Sequence, residues 1–354
     1  MADKYPEIIR RPKNQRIWLV RAEGGTLLGN FRKGEVIALG HIDKLALKED
    51  VTTPFIPDQE DLCSKIQRIY KDDELNERSF KSHYNQILRF IYEIKAGDIV
   101  VTPDEPYFSR LHLGRVTGLP RVNKKPIEVV KDIHTGRSTV MTYNLRRAVS
   151  WGPTISRCDL PDHLQRALRA QQSVSNLDEH WEAIYHILYP VFLNGDDFHF
   201  SIKIDTKDNI DNYTISQFFS FLSEMEMASQ IIDKPDNFDE AQFLENFRKI
   251  AMNGSLGLLI KARFMSSGDI WGLLADGNNW VTFYMIYSAI FGSSKLGWDG
   301  LIDLHTRQNL SSFIAKRWSE KSVDHIYERL KLKLPDQETK SLEDNTKDET
   351  SEIT

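Results

Sequence analysis

Short runs of β-branched and apolar residues, each followed by a glycine- or proline-rich stretch, recur through the first 150 residues of the chain. Residues 17 to 21 read Ile-Trp-Leu-Val-Arg, and residues 35 to 40 read Glu-Val-Ile-Ala-Leu-Gly. Runs of this length that end at turn-forming residues predict β-strands. Three further segments have the same character, at 99 to 102, 111 to 117 and 139 to 151. The chain is therefore predicted to begin with a small sheet or barrel of short strands.

Helices are predicted between and after these strands. Residues 79 to 95 place Phe80, Tyr84 and Ile87 at helical spacing, and residues 59 to 70 show the same period. The sequence Ala96-Gly97-Asp98 is predicted to end the second of these helices. Two closing helices are predicted at 160 to 171 and 178 to 188. Together these elements define a first domain over residues 17 to 190, preceded by an N-terminal arm of residues 1 to 16.

A second domain is predicted over residues 191 to 334. Apolar residues at 198, 200, 202 and 204 alternate with polar ones, which is the period of a half-buried strand. Helices are predicted at 214 to 232, 239 to 251, 279 to 291 and 310 to 331, and strands at 256 to 264 and 270 to 275. Residues 335 to 354 contain 7 acidic residues, 2 basic ones and no aromatic side chain, which predicts a disordered acidic tail.

The fold class predicted from these patterns is α+β. A small β-barrel-like N-terminal domain with inserted helices is expected to precede a mixed α+β domain and the disordered acidic tail. The longest apolar stretch, at 280 to 291, is too short for the roughly 20 residues that span a bilayer. The charged first 16 residues do not resemble a secretory leader, so a cytoplasmic protein without membrane partners is expected.

Charge is distributed unevenly along the chain. The net charge is −5, yet residues 100 to 170 contain 12 basic and 6 acidic side chains. Clustered lysine and arginine supply the salt-dependent part of nucleic-acid binding, so this segment predicts a polyanion-binding surface. A mixed, solvated surface explains the same count equally well. Cys63 and Cys158 lie far apart without a neighbouring histidine pair, so we expect no disulfide framework, no metal and no cofactor.

One weak catalytic motif survives a search for enzyme signatures. Two-metal nucleases need an acidic residue and a lysine two positions apart on a strand, because that spacing directs both side chains to one face. Asp205 and Lys207 have this spacing at the end of the alternating strand, although solvated strand-end charges are the commoner origin of such a pair. Glu93 and Lys95 have the same spacing but lie on a predicted helix, where the two side chains diverge. Whether the chain is an enzyme is left open, with a non-enzymatic role favoured.

Four aromatic residues at strand or turn positions are candidates for stacking on a nucleobase: Trp18, Tyr107, Phe108 and Trp151. Core packing is the commoner role of such residues. The apolar neighbours of Trp18 favour the core. Tyr107 and Phe108 lie in a proline-bounded turn beside Arg110, where a ligand-binding or surface role is as plausible as packing.

Seven segments between residues 17 and 188 resemble, in order, the N-terminal module of Mrr-type restriction proteins. The pattern of that module reads W-x-V-R-A-G, then A-I-G-W, a helix, G-D-x-V-x-T, G-x-V-x-G, R-x-V-x-W and L-x-x-A-L-R. Two positions depart from it, because Glu23 stands in place of the glycine and His41 in place of the tryptophan. The matching segments are 17 to 22, 36 to 40, 87 to 94, 96 to 103, 113 to 118, 146 to 151 and 164 to 170.

The resemblance implies a barrel similar to the EVE and PUA-like domains, whose family role is thought to be contact with nucleic acid or modified bases. It implies that Trp18, Arg21 and Trp151 are pocket or core residues, and with Tyr107 and Phe108 they make up the candidate ligand pocket. It also implies contacts to a nucleic-acid backbone by Arg110, Arg115, Lys124, Lys125, Arg146 and Arg147. Residues 191 to 334 do not resemble the Mrr nuclease domain, so nuclease activity is not implied.

Three functional hypotheses follow. The first is a sensor component of a prokaryotic anti-phage or restriction system, whose first domain binds DNA or a modified nucleotide and whose second domain mediates signalling or assembly. The second is a divergent metal-dependent nuclease that uses Asp205 and Lys207. The third is a non-catalytic scaffold that binds a partner enzyme of the same defence system through its acidic second domain and tail.

Overall fold

The computed structural model shows a mixed α+β protein, as the sequence predicts, with a curled half-barrel sheet in its first part. It forms two compact units, Asn14–Ile184 and Tyr185–Gln337, and Met1–Lys13 is grouped with the second. The boundary falls within one continuous helix, a few residues before the predicted position at 190. The described residues are 8–45, 47–72, 77–104, 110–132, 137–204, 206, 209–232, 245, 249, 256–263, 268–275, 280–291 and 329–333.

The first unit is built on a seven-stranded sheet and a separate two-stranded ribbon. The sheet order is β2-β8-β4-β3-β1-β9, with β5 paired to β8, and the ribbon is β6-β7. All pairs are antiparallel except β1 and β3. The strands are β1 (Ile17–Val20), β2 (Val36–Leu39), β3 (Ile99–Pro103), β4 (Arg110–Val116), β5 (Arg121–Val122), β6 (Ile127–Asp132), β7 (Arg137–Met141), β8 (Leu145–Ser156) and β9 (Val174–Asn176).

The helices of this unit are α1 (Leu28–Lys33), α2 (Gln59–Asp72), α3 (Glu77–Leu88) and α4 (Asp162–Ala167). Helix α5 (Trp181–Leu188) begins in this unit and continues into the second. Single 3-10 turns lie at Glu23–Gly25, Arg157–Asp159 and Asp178–His180, and α3 continues into a π-helical turn at Arg89–Glu93. Side chains from α1, α3 and the strands fill one core, in which Trp18, Phe31, Ile37, Phe90 and Val100 are fully buried.

Most of the predicted elements of this unit are present, and one predicted strand is divided. The segment predicted as one strand at 139 to 151 forms β7 and β8, with a break between them. The break is held by the backbone N–H of Asn144, which donates to Asp43 Oδ1 over 2.9 Å. Helix α1 and strands β6 and β9 have no counterpart in the prediction, because each is short or lacks a clear period.

The buried carboxylate of Asp98 joins the two parallel strands to the end of the helix that precedes β3. Its Oδ1 accepts the backbone N–H of Arg16 over 3.0 Å, and its Oδ2 accepts the indole N–H of Trp18 and the backbone N–H of Lys95, each over 2.9 Å. Gly97 has a φ of 92°, a conformation that glycine adopts without steric cost. The predicted stop at Ala96-Gly97-Asp98 therefore ends the helix and also places a buried acceptor for three donors.

In its described residues, the second unit has a five-stranded antiparallel sheet and helices before and after the β12–β13 pair. Its strand order is β10-β11-β13-β12, with β14 paired to β11. The elements are β10 (Val191–Asn194), β11 (Asp197–Ile204), α6 (Asn212–Ile232), β12 (Leu258–Arg263), β13 (Gly268–Leu274), α7 (Trp280–Phe291) and β14 (Leu332–Lys333). The predicted helix at 310 to 331 lies largely outside the described residues, and the predicted acidic tail lies wholly outside them.

Strand β11 is buried on both faces, not on one as its alternation predicts. Phe198, Phe200 and Ile202 point into the core with α6 and α7. His199 and Ser201 point the other way and are also buried, because His186 of α5 packs against them. The polar residues at every second position of β11 therefore lie on a second face of the strand, which is also buried.

The described part of the predicted N-terminal arm adds to the edge of this sheet. Arg10 forms an isolated parallel bridge with Leu193 of β10. The backbone N–H of Arg11 donates to the Leu193 carbonyl, and the Leu193 N–H donates to the Ile9 carbonyl, both over 2.8 Å. Within the described residues, no helix combines the length and the apolar character that crossing a membrane requires.

Replacement of Asp98 by asparagine is expected to lower the free energy of unfolding by about 2 kcal/mol, because hydrogen bonds to a charged group contribute roughly 1.5–3 kcal/mol each. Both carboxylate oxygens of Asp98 accept hydrogen bonds. In either orientation, the NH₂ group of asparagine would replace one of these acceptors with a donor that faces another donor. Urea unfolding followed by circular dichroism measures the effect. Asp61→Asn is the matched control, since its pair with Lys65 is exposed and contributes less than about 1 kcal/mol. Equal losses in the two variants would contradict the role of Asp98.

The free energy of unfolding is also expected to fall as the pH is lowered from about 6.5 to about 4. Burial is the main cause that lowers the pKa of His41 to about 4, and the charge of His83 adds to it. Burial also lowers the pKa of His112 to about 4, with a smaller contribution from the charge of Arg32. The unfolded chain, with histidine pKa values near 6.5, takes up protons in this window that the folded chain does not.

The double variant His41→Gln/His112→Gln tests this pH dependence. Its unfolding free energy should change less between pH 6.5 and pH 4 than that of the wild type, measured by urea unfolding at each pH. His163→Gln, which removes an exposed histidine, is the control and should alter the pH dependence less than the double variant does. An unchanged slope in the double variant would show that other groups cause the acid sensitivity.

Candidate nucleic-acid interface

An open cleft of about 1290 Å³ lies in the first unit, where the end of α1, the β2–β8 pair and the segment between β4 and β6 meet. The backbone of α1 ends at Gly34, and Glu35 follows it with a φ of 50°. That left-handed conformation costs about 1 kcal/mol for a residue with a side chain. The backbone carbonyl of Glu35 accepts the N–H of Val149 over 2.8 Å, which holds this turn against β8. The floor of the cleft is thus a fixed backbone surface.

Basic side chains outnumber acidic ones in the walls of this cleft. The two acidic residues are Glu35 and Glu128. Four of the basic side chains are exposed, and the fifth, Arg146, is buried at its base. They come from α1, β5, the loop before β6, and β8. The five basic residues are Arg32, Lys33, Arg121, Lys125 and Arg146.

Hydrogen bonds to backbone carbonyls position three of these cations. Lys33 Nζ donates to the Glu128 carbonyl over 2.8 Å, and Arg121 Nη1 donates to the Val51 carbonyl over 2.9 Å. Arg146 donates to the carbonyls of Tyr143 and Lys125, both over 2.7 Å. Carbonyl acceptors orient a cation without cancelling its charge. The cleft therefore has oriented positive groups on walls that come from distant parts of the sequence.

Trp151 forms part of the wall and is half-buried. Its indole N–H donates to the Phe31 carbonyl over 3.3 Å. Across the β4–β8 pair it faces Gly114, beside a β-bulge between His112 and Gly114. A Cβ at position 114 would lie 3.0 Å from the indole ring and 2.6 Å from the side chain of Val149. The absence of a side chain at Gly114 thus leaves room for the indole, which also lines the cleft.

The six predicted backbone-contacting residues do not lie together. Lys125 and Arg146 line the cleft. Lys124 is exposed beside it, and its backbone N–H donates to Glu49. Arg110 and Arg115 are on β4 outside the cleft, where exposed Arg110 pairs with Asp104 over 3.8 Å.

The sixth residue, Arg147, has its guanidinium buried in the protein, with only 2% of the residue exposed. It donates to the carbonyls of Phe90 and Ile91 in the π-helical turn over 2.8 and 2.9 Å, and to the carbonyl of Gly118 over 3.0 Å. Burial lowers the pKa of Arg147 to about 10, although the charge of Asp98 opposes the shift. Arg147 therefore joins the helix end to the cleft wall at Gly118 and is not positioned to contact a phosphate.

Two of the predicted pocket residues, Trp18 and Arg21, bond to other groups of the protein. Trp18 is fully buried, bonded to Asp98, with the Arg16 guanidinium 4.3 Å from its ring centroid. Arg21 donates to the carbonyls of Ala170 and Leu168 over 2.8 and 2.6 Å, so it caps the end of α4. Trp18 thus packs in the core, and Arg21 is a partly buried residue that binds the end of a helix. Tyr107, Phe108, Asp205 and Lys207 lie outside the described residues.

Sequence reasoning did not identify Arg32, Lys33 and Arg121 as site residues. Arg32 and Lys33 are in the last turn of α1, where basic residues are common because they interact favourably with the helix dipole. Because this role explains both residues, the sequence alone does not indicate that they also line a cleft. Comparisons of the chain with protein-family models, with curated proteins and with solved structures find no match.

Replacement of Arg147 by lysine is expected to lower the free energy of unfolding by about 3 kcal/mol. An ammonium group cannot reproduce the planar fork that reaches three carbonyls, and a buried charge that loses hydrogen bonds is costly. Chemical unfolding provides the measurement. Arg121→Lys, which alters an exposed side chain with one carbonyl bond, should change stability by less than about 0.5 kcal/mol. If Arg147→Lys were equally mild, Arg147 would not be a structural centre.

Proposed function

We propose that the first unit binds DNA along this cleft through the phosphate backbone. The proposal rests on one observation: four exposed cationic side chains and the buried Arg146 line one open cleft, and the described lining residues include two carboxylates. Arginine and lysine that neutralise phosphates release condensed counterions, and this release supplies most of the affinity of non-specific DNA binding. A cleft with these properties suits a charged, extended ligand better than a small neutral molecule.

Trp151 provides an aromatic surface next to these cations. The hydrogen bond from its indole to Phe31 fixes the ring. A fixed, half-exposed aromatic surface can stack on a base that has left the duplex, and such stacking contributes roughly 1–3 kcal/mol per base. In this proposal the cations bind the backbone and Trp151 contacts an exposed or modified base.

The broader role that we propose is that of a sensor component of a prokaryotic anti-phage or restriction system. The resemblance of residues 17 to 188 to the N-terminal module of Mrr-type proteins supports it, together with the basic cleft in that same part of the chain. The second unit would then mediate signalling or assembly, for instance with a partner enzyme of the same system in the cytoplasm.

The double variant Arg32→Gln/Arg121→Gln tests the cleft. Loss of two phosphate contacts should lower the slope of log K against log salt by about 2 and weaken binding roughly 30-fold at 0.1 M salt. Fluorescence anisotropy of labelled duplexes, plain and base-modified, at several salt concentrations measures both quantities. Trp151→Leu should reduce any preference for the modified duplex and leave the salt slope unchanged.

Arg110→Gln/Arg169→Gln is the matched control, because it removes two positive charges outside the lining of the cleft. It should leave the affinity within about 3-fold of the wild type, the size expected from a small change in the overall field. Equal weakening by both double variants would mean that only net charge matters. No salt-dependent binding by the wild type would contradict the proposal altogether.

A further inference from the structure

Two buried histidines of the second unit face each other across the sheet surface that α5 covers. His186 comes from α5 and His199 from β11, each with 3% of its surface exposed. Their ring centroids are 5.7 Å apart, and the ring planes meet at 65°. Burial, followed by the nearby His199 and Lys261, holds the pKa of His186 well below its ordinary value. The two imidazole rings therefore face each other in the interior of the protein.

Aromatic neighbours fix both rings. His186 stacks on Trp271 of β13, with centroids 4.6 Å apart and planes within 6°. His199 stacks on Phe192 of β10, with centroids 4.6 Å apart and planes within 7°. Rings held in this way lose little further freedom when they bind a ligand, which is the preorganisation that metal sites require.

A hydroxyl group contacts Nδ1 of His186. Ser201 Oγ is 2.7 Å from His186 Nδ1 and 3.4 Å from the His186 carbonyl oxygen. A metal-binding His186 donates Nδ1–H to Ser201 Oγ, and the hydroxyl proton then points to the carbonyl. This assignment leaves the lone pair of His186 on Nε2. A histidine that ligates a metal through one nitrogen usually donates the other N–H to such a partner.

The helix brings a carboxylate to the same place. Glu182 precedes His186 by one turn of α5, so both side chains lie on one face of the helix. The ligand atoms of Glu182, His186 and His199 all lie within 4.8 Å of one another. Glu182 is only partly buried, so the cluster has a side open to solvent. Helix α5 and strand β11 together supply all three residues.

We propose that Glu182, His186 and His199 bind one divalent transition metal ion, such as Zn²⁺. Two imidazole nitrogens and one carboxylate oxygen are a common donor set for zinc and for non-haem iron. Bonds of about 2.0–2.2 Å to a tetrahedral ion place ligand atoms about 3.3 Å apart, so each atom has to shift by roughly 1 Å at most. Three protein ligands leave a fourth position, towards the solvent side, for water or another ligand.

The inference does not depend on DNA binding by the first unit. The sequence predicted no metal, since its two cysteines lie far apart and the spacing Glu182-x-x-x-His186 is by itself common on helices. The third residue, His199, is one of the polar positions in the alternating pattern of β11, so nothing in the sequence marks it as a ligand. Only the packing of α5 on β11 shows the three groups together.

Zinc titration of the full chain, first stripped with a chelator, tests the site. Isothermal titration calorimetry and elemental analysis after gel filtration should find one Zn²⁺ per chain in the wild type. Glu182→Gln should weaken binding by at least about 10-fold, and Ser201→Ala, which removes the partner of Nδ1, should weaken it by roughly 10- to 100-fold. X-ray absorption should show two imidazole ligands at about 2.0–2.1 Å.

Two controls separate this site from adventitious surface binding and from loss of folding. Glu179→Gln, just before α5, and His163→Gln, on α4, remove exposed groups of the same chemistry, and each variant should bind zinc as the wild type does. Circular dichroism of each metal-free variant checks its fold, and Glu182→Gln, at a partly exposed position, is the variant on which the conclusion depends. Zinc binding that Glu182→Gln and Ser201→Ala leave unchanged, or no binding by the wild type, would overturn the proposal.

Discussion

The first unit depends on one buried carboxylate. Asp98 accepts hydrogen bonds from the backbone of Arg16 at the start of β1, from the indole of Trp18 within it, and from the backbone of Lys95 at the end of the helical segment before β3. A buried carboxylate is costly unless several donors surround it, so these three groups have to be in place together. This requirement fixes the register of the only parallel pair among the described strands of the unit, β1 with β3.

A second buried charge extends this arrangement to the cleft. Arg147 interacts electrostatically with Asp98 and donates to carbonyls of the π-helical turn and of Gly118, which lines the cleft. The same strand, β8, presents Arg146 and Trp151 to that surface. The internal hydrogen bonds of Arg147 thus hold the strand on which Arg146 and Trp151 lie. Arg146 and Arg147 are adjacent in sequence, yet Arg146 lines the cleft, and Arg147 binds backbone carbonyls in the interior.

The sequence predicted the fold class and most elements because hydrophobic period and turn residues are local properties. It predicted the strands at 17 to 21 and 35 to 40 and the stop at Gly97-Asp98. It did not distinguish the role of Arg146 from that of Arg147. Burial along β8 does not alternate regularly, and an arginine is buried only where distant carbonyls accept its hydrogen bonds. It also missed Arg32 and Arg121, which are 89 positions apart, and the group of Glu182, His186 and His199, because their proximity is a product of packing.

Hydrogen exchange of the protein with and without a DNA duplex, read by mass spectrometry, tests the central claim that the cleft is the nucleic-acid interface. The account predicts slower exchange on binding in peptides that cover residues 32 to 36 and 117 to 128. Peptides that cover α4 and the strands of the second unit should exchange at the same rate with and without DNA. Protection confined to α4 or to the second unit, with none at 117 to 128, would contradict the account.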